Sequence, residues 1–533
     1  MTRCLTGHLS YTCRIGDNMN IDQAKEEVKN AVRAYLSKDE AGQYEIPVER
    51  QRPILLMGPP GIGKTAIMEQ IAHDLGINLV AYTITHHTRQ SAIGLPKIST
   101  RTFGGKEYSV TEYTMSEIVA SVYDQIEKSG VKEGILFLDE INCVSETLAP
   151  TMLQFLQYKT FGSHKIPDGF IIVTAGNPAR FNKSVRDFDI VTLDRVRQIN
   201  IEEDFDAWKD YAYKMGIHGA ILAYLEIKKD NFYSIKTDVD GRSFVTARGW
   251  EDLSRVMKVH EKLGIVIDEN LCSQYLQNTD IARDFATYYE LYLRYNQVYR
   301  IPDILEGRFP EDKEGLRKGS FDEKLSVIGL LTDALMGEFR DYAGQQAVQK
   351  QLFETIKAVA AEGASKAAEG GETSAGGELA ARQAALLDEV KNKKDAGMID
   401  RDSEKNMVLA VEAMGECIKV LTEGGLNGAS WEQQLAEAKK WFTKREDSRQ
   451  EAIRRTGEHL SNSFTFLEEV FGDSEALTGS QEMVIFLTEL SSAYHSLKFV
   501  RETGNEAYYK YNKLLLLSDR KQELKEMAQQ LVF

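Results

Sequence analysis

Residues 58–65 read Gly-Pro-Pro-Gly-Ile-Gly-Lys-Thr, the spacing G-x-x-x-x-G-K-[ST] that builds a phosphate cradle. Its glycines let backbone N–H groups turn toward one anion. A helix beginning near Lys64 adds the positive end of its dipole. The Lys64 amine can reach β- and γ-phosphates, and the Thr65 hydroxyl can ligate Mg²⁺. Gly58, Pro59, Pro60, Gly61, Ile62, Gly63, Lys64, Thr65 and Ala66 are therefore candidate nucleotide contacts. An adventitious loop is the mundane alternative. The strand pattern before it and the helix pattern after it weigh against that.

A second feature lies downstream. Residues 134–140, Gly-Ile-Leu-Phe-Leu-Asp-Glu, read as an apolar strand ending in two acids. Asp139 would hold the Mg²⁺ shell and Glu140 would polarise an attacking water. Adjacent carboxylates repel, so such a site needs the Mg²⁺ and Lys64 charges close by. Solvated acids at a strand end are the bland alternative. Residues 170–178 form another buried run, ending Ala-Gly-Asn-Pro. Asn177 there can hydrogen-bond the water or the γ-phosphate, or serve only as a turn residue before proline. Arg180, Arg186, Arg195 and Arg197 follow. One of them aimed at a neighbour's γ-phosphate would stabilise transition-state charge. A surface ion pair is the alternative for each. Arg248, in Thr-Ala-Arg-Gly-Trp, opens a later helix and can report nucleotide state or make a packing ion pair.

These residues need elements to hold them. Residues 21–37 predict an amphipathic helix with Ala24, Val28, Ala31, Val32 and Tyr35 on one face, and Asn20 with Gln23 as its capping box. Short apolar runs at 53–57, 79–84, 135–138, 170–175 and 196–201 alternate with helical patterns. That alternation predicts a five-stranded parallel sheet covered on both faces. Residues 98–113 read as a hairpin turning at Gly104-Gly105. Thr114 and Glu117 suggest the cap of the next helix. After about residue 203 the strand signals fade and helical patterns dominate. Residues 358–385, rich in Ala, Gly, Glu and Ser, read as a flexible connection.

The 533 residues suggest three or four domains. The expected division is an N-terminal arm over 1–19, an αβα domain over 20–202, a helical lid over 203–305 and a helical extension over 306–533. No apolar run approaches the ~18 residues a spanning helix needs. Net charge is −16, which argues against sequence-independent nucleic-acid binding. Five separated cysteines fit a reducing cytoplasm better than a disulfide framework. The first 18 residues lack the apolar core of a signal peptide and read as a disordered arm or a start-site artefact. His86-His87 and Cys143 lack metal-site spacing. Asp238, Asp240 and Gly241 fit a polar turn better than a calcium loop. The stripe Tyr288, Tyr289, Tyr292 and Tyr295 fits helix packing better than base stacking.

The motif order resembles the AAA+ ATPases and, within them, the MoxR group related to dynein-type AAA domains. The phosphate loop resembles Walker A, and Leu138-Asp139-Glu140 resembles Walker B. Gly176-Asn177-Pro178 resembles sensor 1, and Leu193-Asp194-Arg195 the arginine-finger segment. Val245-Thr246-Ala247-Arg248 looks like sensor 2, in Thr-Ala-Arg rather than the commoner Ser-Pro-Arg. The resemblance covers about residues 21–305 and implies a P-loop NTPase αβα sandwich with a helical lid. The extension over 306–533 matches nothing in the family's pattern. The resemblance also implies ATP and Mg²⁺, and a homo-hexamer with nucleotide between subunits. Lys64, Thr65, Asp139, Glu140 and Asn177 would act in cis and Arg195 in trans. The 98–113 hairpin and the 158–166 segment resemble elements that face the central pore in the family's rings.

The resulting expectation is ATP hydrolysis coupled to remodelling a protein partner, often a von Willebrand factor A domain protein in this family. A nucleic-acid motor or clamp-loading ATPase is the first alternative. A non-catalytic nucleotide switch or scaffold is the second.

Overall fold

The computed structural model describes residues 18–86, 92–161, 164–181, 185, 188–238, 241–369, 374–395, 397–423, 429–472 and 480–516. The chain divides into two compact units. One ends at Ala207, and the other comprises Trp208–Asp395 and Ile399 onward.

The first unit opens with α1 (Ile21–Leu36), whose capping box pairs Asn20 and Gln23 as the sequence indicates. Strand β1 (Ile54–Met57) leads through the glycine-rich turn into α2 (Lys64–Leu75), which Gly76 ends in left-handed geometry. Then come β2 (Asn78–Thr83) and the hairpin β3 (Pro96–Phe103) and β4 (Lys106–Tyr113). Gly104 and Gly105 turn the hairpin at φ of 58° and 83°, a conformation costly for residues with a Cβ. Helix α3 (Glu117–Ser129) follows. Its cap is Ser116, which accepts from Val119 N, and not Thr114. The Thr114 hydroxyl instead accepts from Leu95 N and closes the base of the hairpin.

Strand β5 (Gly134–Asp139), α4 (Ala149–Tyr158), the two-residue strands β6 (Thr160–Phe161) and β7 (His164–Lys165), and β8 (Phe170–Gly176) come next. The unit's last elements are the short α5 (Ile190–Leu193) and β9 (Arg197–Asn200). The five long-range strands pair in parallel in the order β2-β5-β8-β1-β9. Every residue of β8 is buried, as are all of β5 before Asp139, which explains their unbroken apolar sequences. On one face, Val119 and Val122 of α3 and Met152 and Phe155 of α4 pack with Leu136, Leu138 and Ile172. On the αβα edge, Lys29 of α1 reaches Asp74 of α2 at 2.9 Å.

Of the expected N-terminal arm, residues 1–17 lie outside the described residues. Met19 does not behave as an arm. It forms a parallel bridge with Ile201, donating from its N to Asn200 O at 2.9 Å.

The second unit is mostly helical: α6 (Phe205–Met215, whose first turn belongs to the first unit), α7 (Gly219–Ile227), α8 (Ala247–Leu263), α9 (Glu269–Tyr275), α10 (Thr279–Tyr299), α11 (Ile301–Leu305) and α12 (Lys313–Arg317). Long helices follow: α13 (Phe321–Glu369), α14 (Ala375–Asp395), α15 (Arg401–Glu423) and α16 (Trp431–Phe471). The unit also holds α17 (Gln481–Ser492) and α18 (Tyr494–Thr503). Three sequence expectations change here. Strand signals do not vanish after 203, because Ser234–Asp238 and Gly241–Val245 pair as the antiparallel hairpin β10–β11. Asp238 faces Gly241 at its tip, and Asp240 lies outside the described residues. The stretch 358–385 is helical over 358–369 and 375–385, and 370–373 lie outside the described residues. Finally, residue 305 is not a break, since α7 and α10 pack on α13 within one unit. Gly329 permits that approach, because a Cβ there would stand 2.7 Å from Ala223 Cβ.

The tyrosine stripe packs as expected for a helix face, with Tyr289 and Tyr292 buried. Lys209, buried in this unit, bridges Glu226 at 2.8 Å and Glu489 at 2.5 Å, and Tyr213 donates to Glu489. Among the described residues no helix is long and apolar enough to cross a membrane.

Candidate nucleotide site

Parallel strands all point their carboxyl ends the same way, and ligands of open α/β sheets bind outside those ends. Met57 of β1 stands beside Gly176 of β8, and Leu138 of β5 beside Thr174 of β8. The chain therefore leaves β1, β5 and β8 at one edge, carrying the glycine-rich turn, the two acids and Asn177. Gly58 N donates to Gly176 O at 3.3 Å, so the turn starts against the end of β8. A Cβ on Gly58 would lie 2.8 Å from Ile201 O. Gly63, at φ 97°, makes the left-handed step that lets α2 begin at Lys64.

Lys64 is buried, with 8% exposure. Its Nζ donates to Gly58 O at 2.9 Å, to Pro59 O at 2.7 Å and to Asn177 Oδ1 at 2.9 Å. The Thr65 hydroxyl donates to Asp139 Oδ2 at 3.2 Å. Asp139 Oδ1 accepts from Glu140 N at 2.9 Å. Glu140 is half-buried and adopts φ 56°, which turns the chain sharply after β5. The motifs picked out by spacing thus lie in direct contact: the lysine with the amide, and the threonine with the first acid.

Two further residues join them. Thr85, just past β2, donates from its hydroxyl to Glu140 Oε2 at 3.0 Å. Asn142 donates from Nδ2 to Asn177 O at 2.8 Å. Neither belongs to a motif, so sequence reasoning missed both. Thr85 becomes meaningful only once β2 is known to pair with β5, with Thr83 beside Asp139.

Thr65 and Asp139 offer hard oxygen donors in contact with each other, a donor set that suits Mg²⁺.

The arginines separate. Arg197 pairs with Glu27, and the Arg180 guanidinium lies 4.6 Å from the centre of the Phe181 ring. Arg186 lies outside the described residues. Arg195 is exposed, following α5. Nearby Asp189 caps α5, and its carboxyl is held below the ordinary range by hydrogen bonds from Thr192, aided by the Arg195 charge. Arg248 is exposed in the first turn of α8, in the second unit.

Both expected hairpins form. The tip of β3–β4 pairs the Phe103 and Tyr108 rings at 6.1 Å, and Ile98 is 77% exposed. At the base of β6–β7, Lys159 is buried and donates to Gln51 Oε1 at 3.0 Å. Burial pushes its amine down to about 8. Gly162, Ser163 and His87 lie outside the described residues, as does the side chain of His86. Cys143 is half-buried, and its N donates to Glu140 O at 2.9 Å.

One known family matches the residues that build this site. Residues 54–193 match the family described as "ATPase family associated with various cellular activities (AAA)". The chain therefore carries an AAA-family domain with the P-loop fold there. Protein SAV of Sulfolobus acidocaldarius is 25% identical over 251 residues, 42% of this chain and 29% of that protein. Lon protease 2 of Thermus thermophilus is 28% identical over 153 residues, 25% of this chain and 17% of that protein. The matches span less than a third of either relative. Among solved structures, a RuvB mutant of Thermotoga maritima is similar at 16% identity and a TM-score of 0.25. It covers 56% of this chain and 75% of that one.

Proposed function

We propose that this chain is a Mg²⁺-dependent ATP hydrolase of the MoxR type, coupling turnover to the remodelling of a protein partner. The observation that carries the proposal is the contact of Lys64 with Asn177 and of Thr65 with Asp139 at one sheet edge. Backbone N–H groups of 61–66, which include the first turn of α2, receive the phosphates. Thr65 and Asp139 would hold Mg²⁺, which supplies charge neutralisation on the phosphate oxygens. Lys64 gives up its Asn177 contact for a phosphate oxygen. Glu140 accepts the proton of the attacking water while Thr85 fixes one of its oxygens. Asn177, once released, orients the water or the γ-phosphate.

Arg195 acts in trans on a neighbour's nucleotide in a homo-hexamer, and its exposure supports this. Arg248 senses the nucleotide from the lid, a role its place in a helix's first turn allows. The exposed apolar residues of β3–β4 support a protein client, and a von Willebrand factor A domain protein is the partner class we favour. The net charge of −16 weighs against nucleic acid, and the three free cysteines among the described residues accord with a cytoplasmic setting.

The test pairs a turnover assay with capture. The protein should release phosphate from ATP only with Mg²⁺, and Glu140→Gln in ATP should retain a protein client. Turnover without Mg²⁺, or a salt-dependent rise in turnover on adding DNA, would overturn the proposal.

A further inference from the structure

Asn142 lies in the single turn Ile141–Cys143 that follows Glu140, and it is 3% exposed. Its amide reaches across to the next strand end and donates to the Asn177 main-chain oxygen. Its Oδ1 is buried and meets no donor among the described residues. The amide orientation follows from this arrangement, since only the NH₂ side can pair with a carbonyl. Gly176 makes the approach possible. A Cβ there would stand 2.7 Å from Asn142 Oδ1 and 2.9 Å from its Cγ.

The paired register of β5 and β8 runs only as far as Leu138 beside Thr174. Beyond it, Asn142 ties the two strand ends together. Those ends carry Glu140, in its left-handed turn, and Asn177, whose side chain rests on Lys64. When the Lys64 amine exchanges Asn177 Oδ1 for a phosphate oxygen, Asn177 loses that restraint. Its main chain remains held by Asn142.

We infer that Asn142 is a positioning residue for hydrolysis: it fixes the Asn177 backbone relative to the Glu140 turn, so that releasing Lys64 rotates the Asn177 side chain alone. The inference rests on the hydrolytic reading above. Its signature is a split between stability and rate. Leucine of similar size removes the cost of the buried amide oxygen that has no donor, but it also removes the N–H that the Asn177 oxygen accepts from, so the two effects offset each other. An Asn142 that served only the fold would show no such split. One that serves the reaction gives a leucine variant that is close to the parent in stability and slower.

The experiment compares Asn142→Leu, Asn142→Asp and Gly176→Ala with the parent and with Glu140→Gln. The readouts are kcat and KM for MgATP, Kd for a fluorescent ATP analogue, and thermal melting. Asn142→Asp keeps the shape but loses the N–H donor. Gly176→Ala displaces the amide without altering it. All three should lose about 10- to 100-fold in kcat, with KM and Kd unchanged within about threefold. Asn142→Leu should stay folded and melt within about 5 °C of the parent. A folded Asn142→Leu within about twofold of parental kcat would overturn the inference. So would losses in kcat that follow losses in melting temperature across the three variants, or failure of Asn142→Leu to fold, because each marks a structural role. The Glu140→Gln arm separates the two levels. If it turns over at the parental rate, the hydrolytic reading itself fails. If it is inactive while Asn142→Leu and Gly176→Ala are not, the positioning role alone falls.

Discussion

Glu140 offers a perturbation in which chemistry and folding can be weighed separately. Its carboxylate is the assigned proton acceptor, and its backbone holds a left-handed φ of 56°. Glu140→Gln preserves shape, and its amide oxygen can still accept from Thr85, but it cannot take a proton at neutral pH. General-base catalysis contributes about 10²- to 10⁴-fold, or about 2.7–5.4 kcal/mol of barrier at 1.36 kcal/mol per decade. Glu140→Gly removes the same base and also relieves the backbone. The left-handed conformation costs an L-residue about 1–2 kcal/mol. Glycine returns about 0.5–1 kcal/mol of that through unfolded-chain entropy. The lost Thr85 hydrogen bond takes about 0.5–1.5 kcal/mol more. Folded stability should therefore stay within about 1 kcal/mol of the parent, while turnover falls by at least ~10²-fold. Phosphate release under single-turnover conditions, beside chemical denaturation, measures both. ATP affinity should be unchanged or tighter, since a negative charge has left the phosphate site. Turnover within about threefold of the parent in either variant would refute the assignment.

Lys64→Ala should weaken ATP binding itself. A charge-assisted contact is worth about 1.5–3 kcal/mol, or about 10- to 150-fold in Kd at 1.4 kcal/mol per decade, and full affinity in a titration would contradict the cradle. Arg195→Ala subunits should be inactive alone and regain partial turnover when mixed with Glu140→Gln subunits. No recovery at any mixing ratio would count against a trans role. Lys159, whose pKa burial lowers to about 8, predicts a pH effect with a definite sign. From about pH 8 up to the ordinary lysine value near 10.4, the unfolded chain binds a proton that the folded chain does not. Parental stability should therefore rise relative to Lys159→Met over that window, by up to ~1.4 kcal/mol per pH unit. A constant difference between the two proteins from pH 7 to 9.5 would contradict it.

What could be read from the sequence follows from what each signal encodes. Glycine spacing and unbroken apolar runs are local properties, so the phosphate turn and the five sheet strands are legible in the chain itself. Strand order is not local. Nothing in 170–176 says that β8 lies between β5 and β1. The contacts of Thr85 and Asn142 depend on that order, so they were invisible. The β10 strand, Ser-Ile-Lys-Thr-Asp, carries one apolar residue and sits among helices, which hid its hairpin. The 358–385 stretch misled in the opposite direction. Among its described residues, Val359, Ala375 and Leu379 sit in one core with Cys417, Leu421 and Ala438. Gly376, which suggested a linker, lies in the first turn of α14, where its N donates to Gln434 Oε1 at 3.0 Å.

The central claim is that the turn at Gly58 and the acid at Asp139 serve the same nucleotide. Titrating ATP against the parent, Lys64→Ala and Asp139→Asn, each with Mg²⁺ and with EDTA, tests it most directly. The account predicts that Mg²⁺ tightens ATP binding to the parent, that Asp139→Asn loses this dependence, and that Lys64→Ala binds weakly under both conditions. Parental affinity in both variants, with the Mg²⁺ effect intact, would contradict it.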